Sequence, residues 1–162
     1  NNYGKNKLRI ENHLRKTLGD NLLILRLGTF LFFNLNSKGK LFSEKMLYNL
    51  YKNKVIFFDL RKNIYKDFIT DNHFVKNLDF LIKKKITGVY NLSSGIPIYS
   101  EEVASSVVKG FGEGEIIFKN LNRKAYSFLM SNKKLIKKTK IVSKKQNILD
   151  YCRQMGKKLS YE

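Results

Sequence analysis

Apolar residues recur along the chain at two spacings, and segments of the two kinds alternate. In Leu41 to Lys52 the apolar positions fall mostly three or four residues apart, which is typical of one face of a helix. In Leu22 to Leu27 nearly every residue is apolar, which is typical of a short strand buried on both faces. This alternation of helical and strand segments predicts an α/β fold.

The same patterns predict five helices and six strands. The helices are expected over Tyr3 to about Leu18, Leu41 to Lys52, His73 to Lys84, Ser100 to about Lys109 and Asn147 to Lys158. The strands are expected over Leu22 to Leu27, Val55 to Leu60, Phe68 to Ile69, Gly88 to Leu92, Ile116 to Phe118 and Ser127 to Met130. No internal repeat and no linker interrupts this series, so residues 1–162 are expected to form one unit.

Polar residues at the predicted helix starts indicate where the helices are capped. Ser43 and Ser100 are candidate caps, and Asp71-Asn72 can cap the helix that begins at His73. Ser93 to Pro97 is the clearest turn in the chain. The glycine cluster Gly110 to Gly114 is interpreted as a loop, because it leads into a predicted strand rather than into a helix.

Length and composition are those of a small folded domain with a hydrophobic core. The chain has 162 residues, of which 43% are apolar. Cys152 is its single cysteine, so no intrachain disulfide framework is possible, and no metal-ligand spacing is present. No run of about 18 apolar residues and no secretion signal is found, so a cytoplasmic location is the expectation.

The net charge of +19 needs an explanation of its own, because a pI near 10 is typical of proteins that bind nucleic acids or anionic surfaces. A basic nucleic-acid-binding module is therefore an alternative function. The excess is nearly all lysine and is spread along the sequence, whereas nucleic-acid readers often use arginine for bidentate contacts. Spread lysines favour an ordinary solvated surface, and nucleic acid is not the expected partner.

Tyr3 and Lys7 stand four residues apart at the start of the first predicted helix. Residues at this spacing share a helix face, so the Lys7 ammonium can lie beside the Tyr3 phenol. A free phenol has a pKa of about 10, too high for efficient proton transfer at neutral pH. Two unit charges about 4 Å apart interact by roughly 4 kcal/mol at an effective dielectric constant of about 20, enough to supply most of a three-unit reduction in pKa. The bare spacing also arises by chance in a chain rich in both residues.

Several segments match one family in the same order. They read NYGKNKL at 2–8, LILRLGT at 23–29, YKDFI at 65–69, TGVYNLSSG at 87–95 and SFLMSNKKL at 127–135. This series resembles the extended short-chain dehydrogenases/reductases, the family of NAD-dependent nucleotide-sugar epimerases, dehydratases and reductases. The resemblance implies the C-terminal part of a Rossmann-like doubly wound parallel sheet plus a small α/β substrate-binding lobe.

The family resemblance also implies roles for individual residues. Tyr3 would be the catalytic acid/base, and Lys7 would lower the Tyr3 pKa and bind the nicotinamide ribose of NAD or NADP. The turn Leu27-Gly28-Thr29-Phe30 would lie against the cofactor, and Thr29 against the substrate. Lys66 would replace an arginine that holds the nucleotide diphosphate, although a surface lysine is an equal alternative. The substrate would be a nucleotide sugar, and the protein is expected to form a homodimer.

Two family features are not found in this sequence, namely the N-terminal glycine-rich cofactor turn and the catalytic Ser/Thr. The expected organisation is therefore a Tyr-Lys helix and strand over about 1–35 with a substrate-binding lobe over about 36–162, and without the N-terminal dinucleotide-binding half. A non-catalytic relic of the family is a further alternative. His73 is expected to be a partly exposed structural histidine, and with His13 far away in sequence no Ser-His-Asp or metal arrangement is indicated.

Overall fold

The structure, a computed structural model, describes residues 2–35, 41–59, 61–119 and 126–162. Helices and strands alternate through these ranges, which confirms the α/β class. The helices are α1 (Asn2–Leu18), α2 (Phe42–Asn53), α3 (Asp71–Lys83), α4 (Ser100–Phe111), α5 (Lys133–Thr139) and α6 (Lys145–Leu159). The strands are β1 (Leu23–Leu27), β2 (Thr29–Leu31), β3 (Val55–Phe58), β4 (Tyr65–Thr70), β5 (Gly88–Leu92), β6 (Pro97–Tyr99) and β7 (Glu115–Phe118).

The strands form three small sheets. β1 pairs in parallel with β5, and β3 pairs in parallel with β7. The third sheet has the order β2-β4-β6, in which β2 and β4 are parallel and β6 is antiparallel. Gly28 lies between β1 and β2, and its N–H donates a hydrogen bond of 3.1 Å to the Leu92 carbonyl. The chain therefore leaves one sheet and enters the next at Gly28.

Two groups of buried side chains hold these elements together. The larger group joins α2, α4 and α6 to β3 and β4, with Leu47, Phe68 and Val107 fully buried. The smaller group packs α3 and α5 against β5, with Leu81 and Leu135 at its centre.

Within the described ranges no helix combines the length and the apolar character needed to cross a bilayer.

α4 and α6 cross at two glycines, so their backbones touch. A Cβ atom added to Gly156 would lie 1.9 Å from the Val107 carbonyl oxygen, and one added to Gly110 would lie 1.9 Å from the Arg153 oxygen. Gly110 is therefore part of a helix interface, and the prediction that Gly110 to Gly114 is a loop is wrong at Gly110 and Phe111, which belong to α4. Gly112 ends α4 in a left-handed conformation with φ +100°.

The predicted helix caps differ from the observed ones. The Thr70 hydroxyl accepts from the His73 N–H at 3.3 Å, so Thr70 rather than Asp71-Asn72 caps α3. At the start of α2, the Glu44 carboxylate accepts from the Leu41 N–H at 3.1 Å, whereas the buried Ser43 hydroxyl makes no hydrogen bond among the described residues. The longer carboxylate reaches a free backbone donor that the Ser43 side chain does not reach.

α4 repeats this arrangement at Tyr99. The Glu102 carboxylate accepts from the Tyr99 N–H at 3.0 Å, so the predicted cap Ser100 is also wrong.

The predicted strand Ser127 to Met130 is not observed either. That segment is bound by isolated contacts instead of a strand ladder, such as the 3.2 Å bond from the Tyr65 N–H to the Ser127 hydroxyl.

The sequence patterns also missed three short elements: β2, β6 and α5. Each is only three to seven residues long. So few residues do not complete a recognisable period, and their conformation follows from the neighbours against which they pack.

Candidate active site

The first turns of α1 bring Tyr3 and Lys7 together. The Lys7 ammonium lies 5.6 Å from the centre of the Tyr3 ring, in the arrangement of a cation–π contact. The Tyr3 side chain is 70% exposed, so its ring faces the surface rather than a core. The spacing of four residues therefore places a phenol and an ammonium side by side where a ligand can reach both.

A cleft of about 660 Å³ opens between α1 and the C-terminal end of β1. Its lining includes Tyr3, Lys7, Leu27 and Gly28, four of the residues that the family resemblance predicts for the site. The carboxyl ends of parallel strands are a usual place for ligand sites in α/β proteins. The fold thus gathers residues from two distant segments around one concave surface.

An ion pair between Glu11 and Arg26 connects the two walls of the cleft. The Arg26 Nε donates to Glu11 Oε1 at 2.9 Å, and an Arg26 terminal nitrogen donates to Glu11 Oε2 at 2.6 Å. These hydrogen bonds lower the pKa of Glu11 and raise the pKa of Arg26. Because α1 has no fully buried residue, this bidentate contact is an important link between the helix and β1.

Gly28 lies directly against Asp67 of β4. A Cβ atom at residue 28 would come within 2.8 Å of the Asp67 carbonyl oxygen, so only glycine allows this approach. The Asp67 side chain is fully buried. Its carboxylate accepts from the Ser94 N–H at 2.7 Å, the Ser94 hydroxyl at 2.8 Å, the Gly95 N–H at 3.1 Å and the Met130 N–H at 3.2 Å.

Asp67 therefore fastens β4 to the turn after β5 and to the segment before α5. Four donors among the described residues satisfy the carboxylate, which is how a buried charge is tolerated. Asp67 is not among the predicted site residues, although it lies in the segment YKDFI that resembles the family. The one sequence signal is that Asp67 directly precedes the apolar pair Phe68-Ile69 of the same strand.

Three other predicted site residues do not line the cleft. Thr29 is in β2, where it pairs with Phe68 of β4. Phe30 packs in the smaller core beside Phe74, with ring centres 5.4 Å apart. Lys66 lies in β4 with its ammonium 5.4 Å from the centre of the Phe42 ring, and burial lowers its pKa.

His73 is buried, so the prediction of a partly exposed histidine is wrong. Its Nδ1 lies 3.0 Å from the Ser143 hydroxyl, and its Nε2 lies 3.3 Å from the Asn77 amide nitrogen. Burial lowers the pKa of His73, partly opposed by the charge of Asp67. The ring thus joins α3 to the segment between α5 and α6.

Across the described ranges, no three His, Cys, Asp or Glu residues are placed to hold a metal ion.

Comparison with solved structures identifies the fold. A UDP-N-acetylglucosamine 4-epimerase from Methanobrevibacter ruminantium, in complex with UDP-N-acetylmuramic acid, matches 94% of this chain and 51% of its own, with a TM-score of 0.75 and 11% identity. A UDP-glucuronic acid 4-epimerase from Bacillus cereus, in complex with UDP-glucuronic acid and NAD, matches 91% and 49%, with a TM-score of 0.69 and 14% identity.

A UDP-N-acetylglucosamine 4-epimerase from Bacillus cereus matches 94% of this chain and 52% of its own, with a TM-score of 0.65 and 18% identity. This chain has the fold of the C-terminal portion of an NAD-dependent epimerase/dehydratase. It spans about half the length of the epimerase/dehydratase structures that it matches. No protein-family model and no curated protein sequence matches the chain, so the likeness lies in the fold.

Proposed function

We propose that the chain is the tyrosine-bearing C-terminal segment of an NAD(P)-dependent nucleotide-sugar epimerase, reductase or dehydratase. The observation that carries the proposal is the cleft in which Tyr3 and Lys7 of α1 face Leu27 and Gly28 at the end of β1. Acid/base chemistry on a bound sugar requires a proton-transfer group, a neighbouring charge and a concave surface, and the phenol, the ammonium and the cleft supply these three.

In this proposal Tyr3 exchanges a proton with the hydroxyl or carbonyl group of the sugar. The Lys7 ammonium stabilises the phenolate form of Tyr3 and donates to a hydroxyl of the nicotinamide ribose. NAD or NADP, when bound, supplies the group that accepts or donates the hydride. The bidentate contact between Glu11 and Arg26 holds α1 at the distance from β1 that the cleft needs.

The residues present fit one end of such a cofactor. Lys7 offers an exposed donor beside an open cleft, as the nicotinamide ribose requires. The pyrophosphate end requires a glycine turn that leads from a strand into a helix. In the described ranges Gly112 and Gly114 lie between a helix and a following strand, which is the reverse order. We infer that the pyrophosphate is bound by a further polypeptide segment, which belongs either to a longer form of this chain or to a second chain of the enzyme.

The remaining parts of the proposal concern the substrate and the oligomer. Lys66 is half-buried beside an aromatic ring and would meet a nucleotide diphosphate as a point charge, while Thr29 would contact the sugar. Leu8 and Ile10 of α1 are 52% and 53% exposed, which supports a homodimer formed through this helix.

A Tyr3→Phe substitution in the product of the native gene tests the assignment. Turnover of a panel of UDP- and dTDP-sugars with NAD or NADP is measured by chromatography, and NADH binding by fluorescence. Because Phe removes only the hydroxyl, we expect turnover to fall by at least about a hundredfold while cofactor affinity stays nearly unchanged. Tyr161→Phe is the matched control, because Tyr161 is 76% exposed, close to the 70% of Tyr3, and lies in the C-terminal turn.

Full turnover by the Tyr3→Phe protein would refute the role of Tyr3. If the unaltered native product neither binds NAD(H) nor turns over any sugar of the panel, the relic interpretation replaces the enzyme. A product that binds NAD(H) tightly contradicts the relic interpretation.

A further inference from the structure

The outer face of α5 carries only lysines. α5 turns Leu135 and Thr139 inward, where both are buried, and exposes its basic residues to solvent. We call these residues the α5 surface: Lys133, Lys134, Lys137, Lys138 and Lys140. Lys134 is held in place by a 3.0 Å hydrogen bond to the Val89 carbonyl, and the other four, of which Lys140 directly follows the helix, are exposed.

Acidic residues do not neutralise the α5 surface. The sequence contains no Asp or Glu between Glu115 and Asp150. Among the described residues, the ion pairs of the chain lie elsewhere, and none involves a lysine of the α5 surface. Uncompensated like charges on a short helix repel one another, and an anionic partner relieves that repulsion.

The fold brings further basic residues to the α5 surface from distant parts of the sequence. Ile86, which directly follows the run Lys83-Lys84-Lys85, packs in the same small core as Leu135 of α5. Of these three lysines, Lys83 is paired with Asp79 at 2.9 Å. Arg15 of α1 and Lys134 line one shallow cleft of about 330 Å³. Basic residues from other parts of the sequence therefore lie beside the helix that carries the α5 surface.

The shallow cleft of Arg15 and Lys134 is distinct from the candidate active site. The cleft of Arg15 and Lys134 lies at the N-terminal ends of the parallel strands β1 and β5, where it includes Leu22 and Gly88. The cleft of Tyr3 lies at the C-terminal end of β1. No lysine of the α5 surface lines the Tyr3 cleft, and binding of a partner to this surface does not depend on the proposed enzymatic function.

We propose that the α5 surface binds the phosphate backbone of nucleic acid, without sequence specificity. Lysines act as point charges that suit phosphate contacts, and the absence of a bidentate arginine fork on α5 fits a lack of base readout. A membrane-surface helix would present an apolar face beside its basic one. On α5 Leu135 is buried and Ile136 is half-buried, and Ile82 is the single large apolar side chain exposed on the last turn of α3.

The test measures anisotropy of a labelled duplex of roughly 20 base pairs between 50 and 200 mM salt, with the full chain. Four projecting lysines that each release about one counterion give a slope of log K against log salt near −3.6, a loss of about a hundredfold in affinity over that range. The variant replaces Lys133, Lys137 and Lys138 by Gln. The control replaces the exposed Lys45, Lys52 and Lys109 by Gln, the same change in net charge on α2 and α4.

We expect the α5 variant to reduce the magnitude of the slope by about three and the control to leave it nearly unchanged. Thermal melts by circular dichroism check that both variants remain folded. Equal losses in the two variants would overturn the proposal, because binding would then follow net charge alone. No binding at 50 mM salt, or binding to phosphatidylserine vesicles without binding to the duplex, would also overturn it.

Discussion

Gly156→Ala should destabilise this protein, although Gly→Ala substitutions within helices usually stabilise. An alanine in a helix interior gains about 1 kcal/mol over glycine from conformational preference. At this position the new Cβ would lie 1.9 Å from the Val107 carbonyl oxygen and 2.8 Å from the Phe111 nitrogen. Both atoms are backbone of α4, so no side-chain rotation relieves the clash, and the two helices must separate.

The magnitude follows from the packing at the crossing of α4 and α6. Restoring an ordinary carbon–oxygen separation of about 3.4 Å needs a displacement of more than 1 Å between two close-packed helices. The interface contains the fully buried Val107 and Cys152, so separation opens voids in the larger core. Overpacking costs about 1–3 kcal/mol or more, and here it exceeds the helix-preference gain. We expect a net loss of about 2 kcal/mol and a melting temperature lower by roughly 4–8 °C.

Urea and thermal unfolding by circular dichroism measure the effect. Gly4→Ala is the matched control, because Gly4 is also inside a helix and has no atom within 4 Å of the added Cβ. Gly4→Ala should be neutral or slightly stabilising. Gly110→Ala should resemble Gly156→Ala, and the two should not be additive because they affect one contact. A Gly156→Ala protein as stable as the wild type would refute the reasoning.

Two further predictions concern buried polar groups. Asp67→Asn removes the negative charge to which four donors bind and turns an amide N–H₂ toward some of those donors. We therefore expect the free energy of unfolding, measured in urea, to fall by about 2–4 kcal/mol. An unchanged urea midpoint would contradict the role of the carboxylate. Burial lowers the pKa of His73 below its ordinary value of about 6.5, so the unfolded chain binds a proton more readily than the folded one. Stability should therefore fall as the pH falls below about 6.5, and His73→Gln should remove that part of the decrease in urea titrations at pH 5 to 7.5. An identical pH profile in the variant would show that other groups cause it.

The longer elements could be predicted because their periods are complete within the sequence. The prediction of Tyr3 to about Leu18 agrees with α1 (Asn2–Leu18), and the predicted strand Gly88 to Leu92 agrees with β5. Cap residues could not be predicted in the same way. Both a serine hydroxyl and a glutamate three residues into a helix can satisfy a free N–H, and the local backbone decides which one reaches it.

The candidate site was predictable in part. Tyr3 and Lys7 are linked by a local spacing that any helix converts into proximity. The contribution of Leu27 and Gly28 depended on the path of the chain after α1, for which the family resemblance supplied an expectation. The role of Asp67 could not be predicted from the sequence, because the donors that its carboxylate binds lie 27 to 63 residues away.

The sequence by itself determined the α/β class, the helix that bears Tyr3 and Lys7, and the excess of positive charge, since each depends on residue type or on neighbours within a few turns. Tertiary structure alone decided which glycines are helix contacts, where the buried carboxylate lies, and which basic residues of other segments lie beside the α5 surface. These features depend on contacts between residues far apart in the chain, and no local spacing records which distant segments pack together.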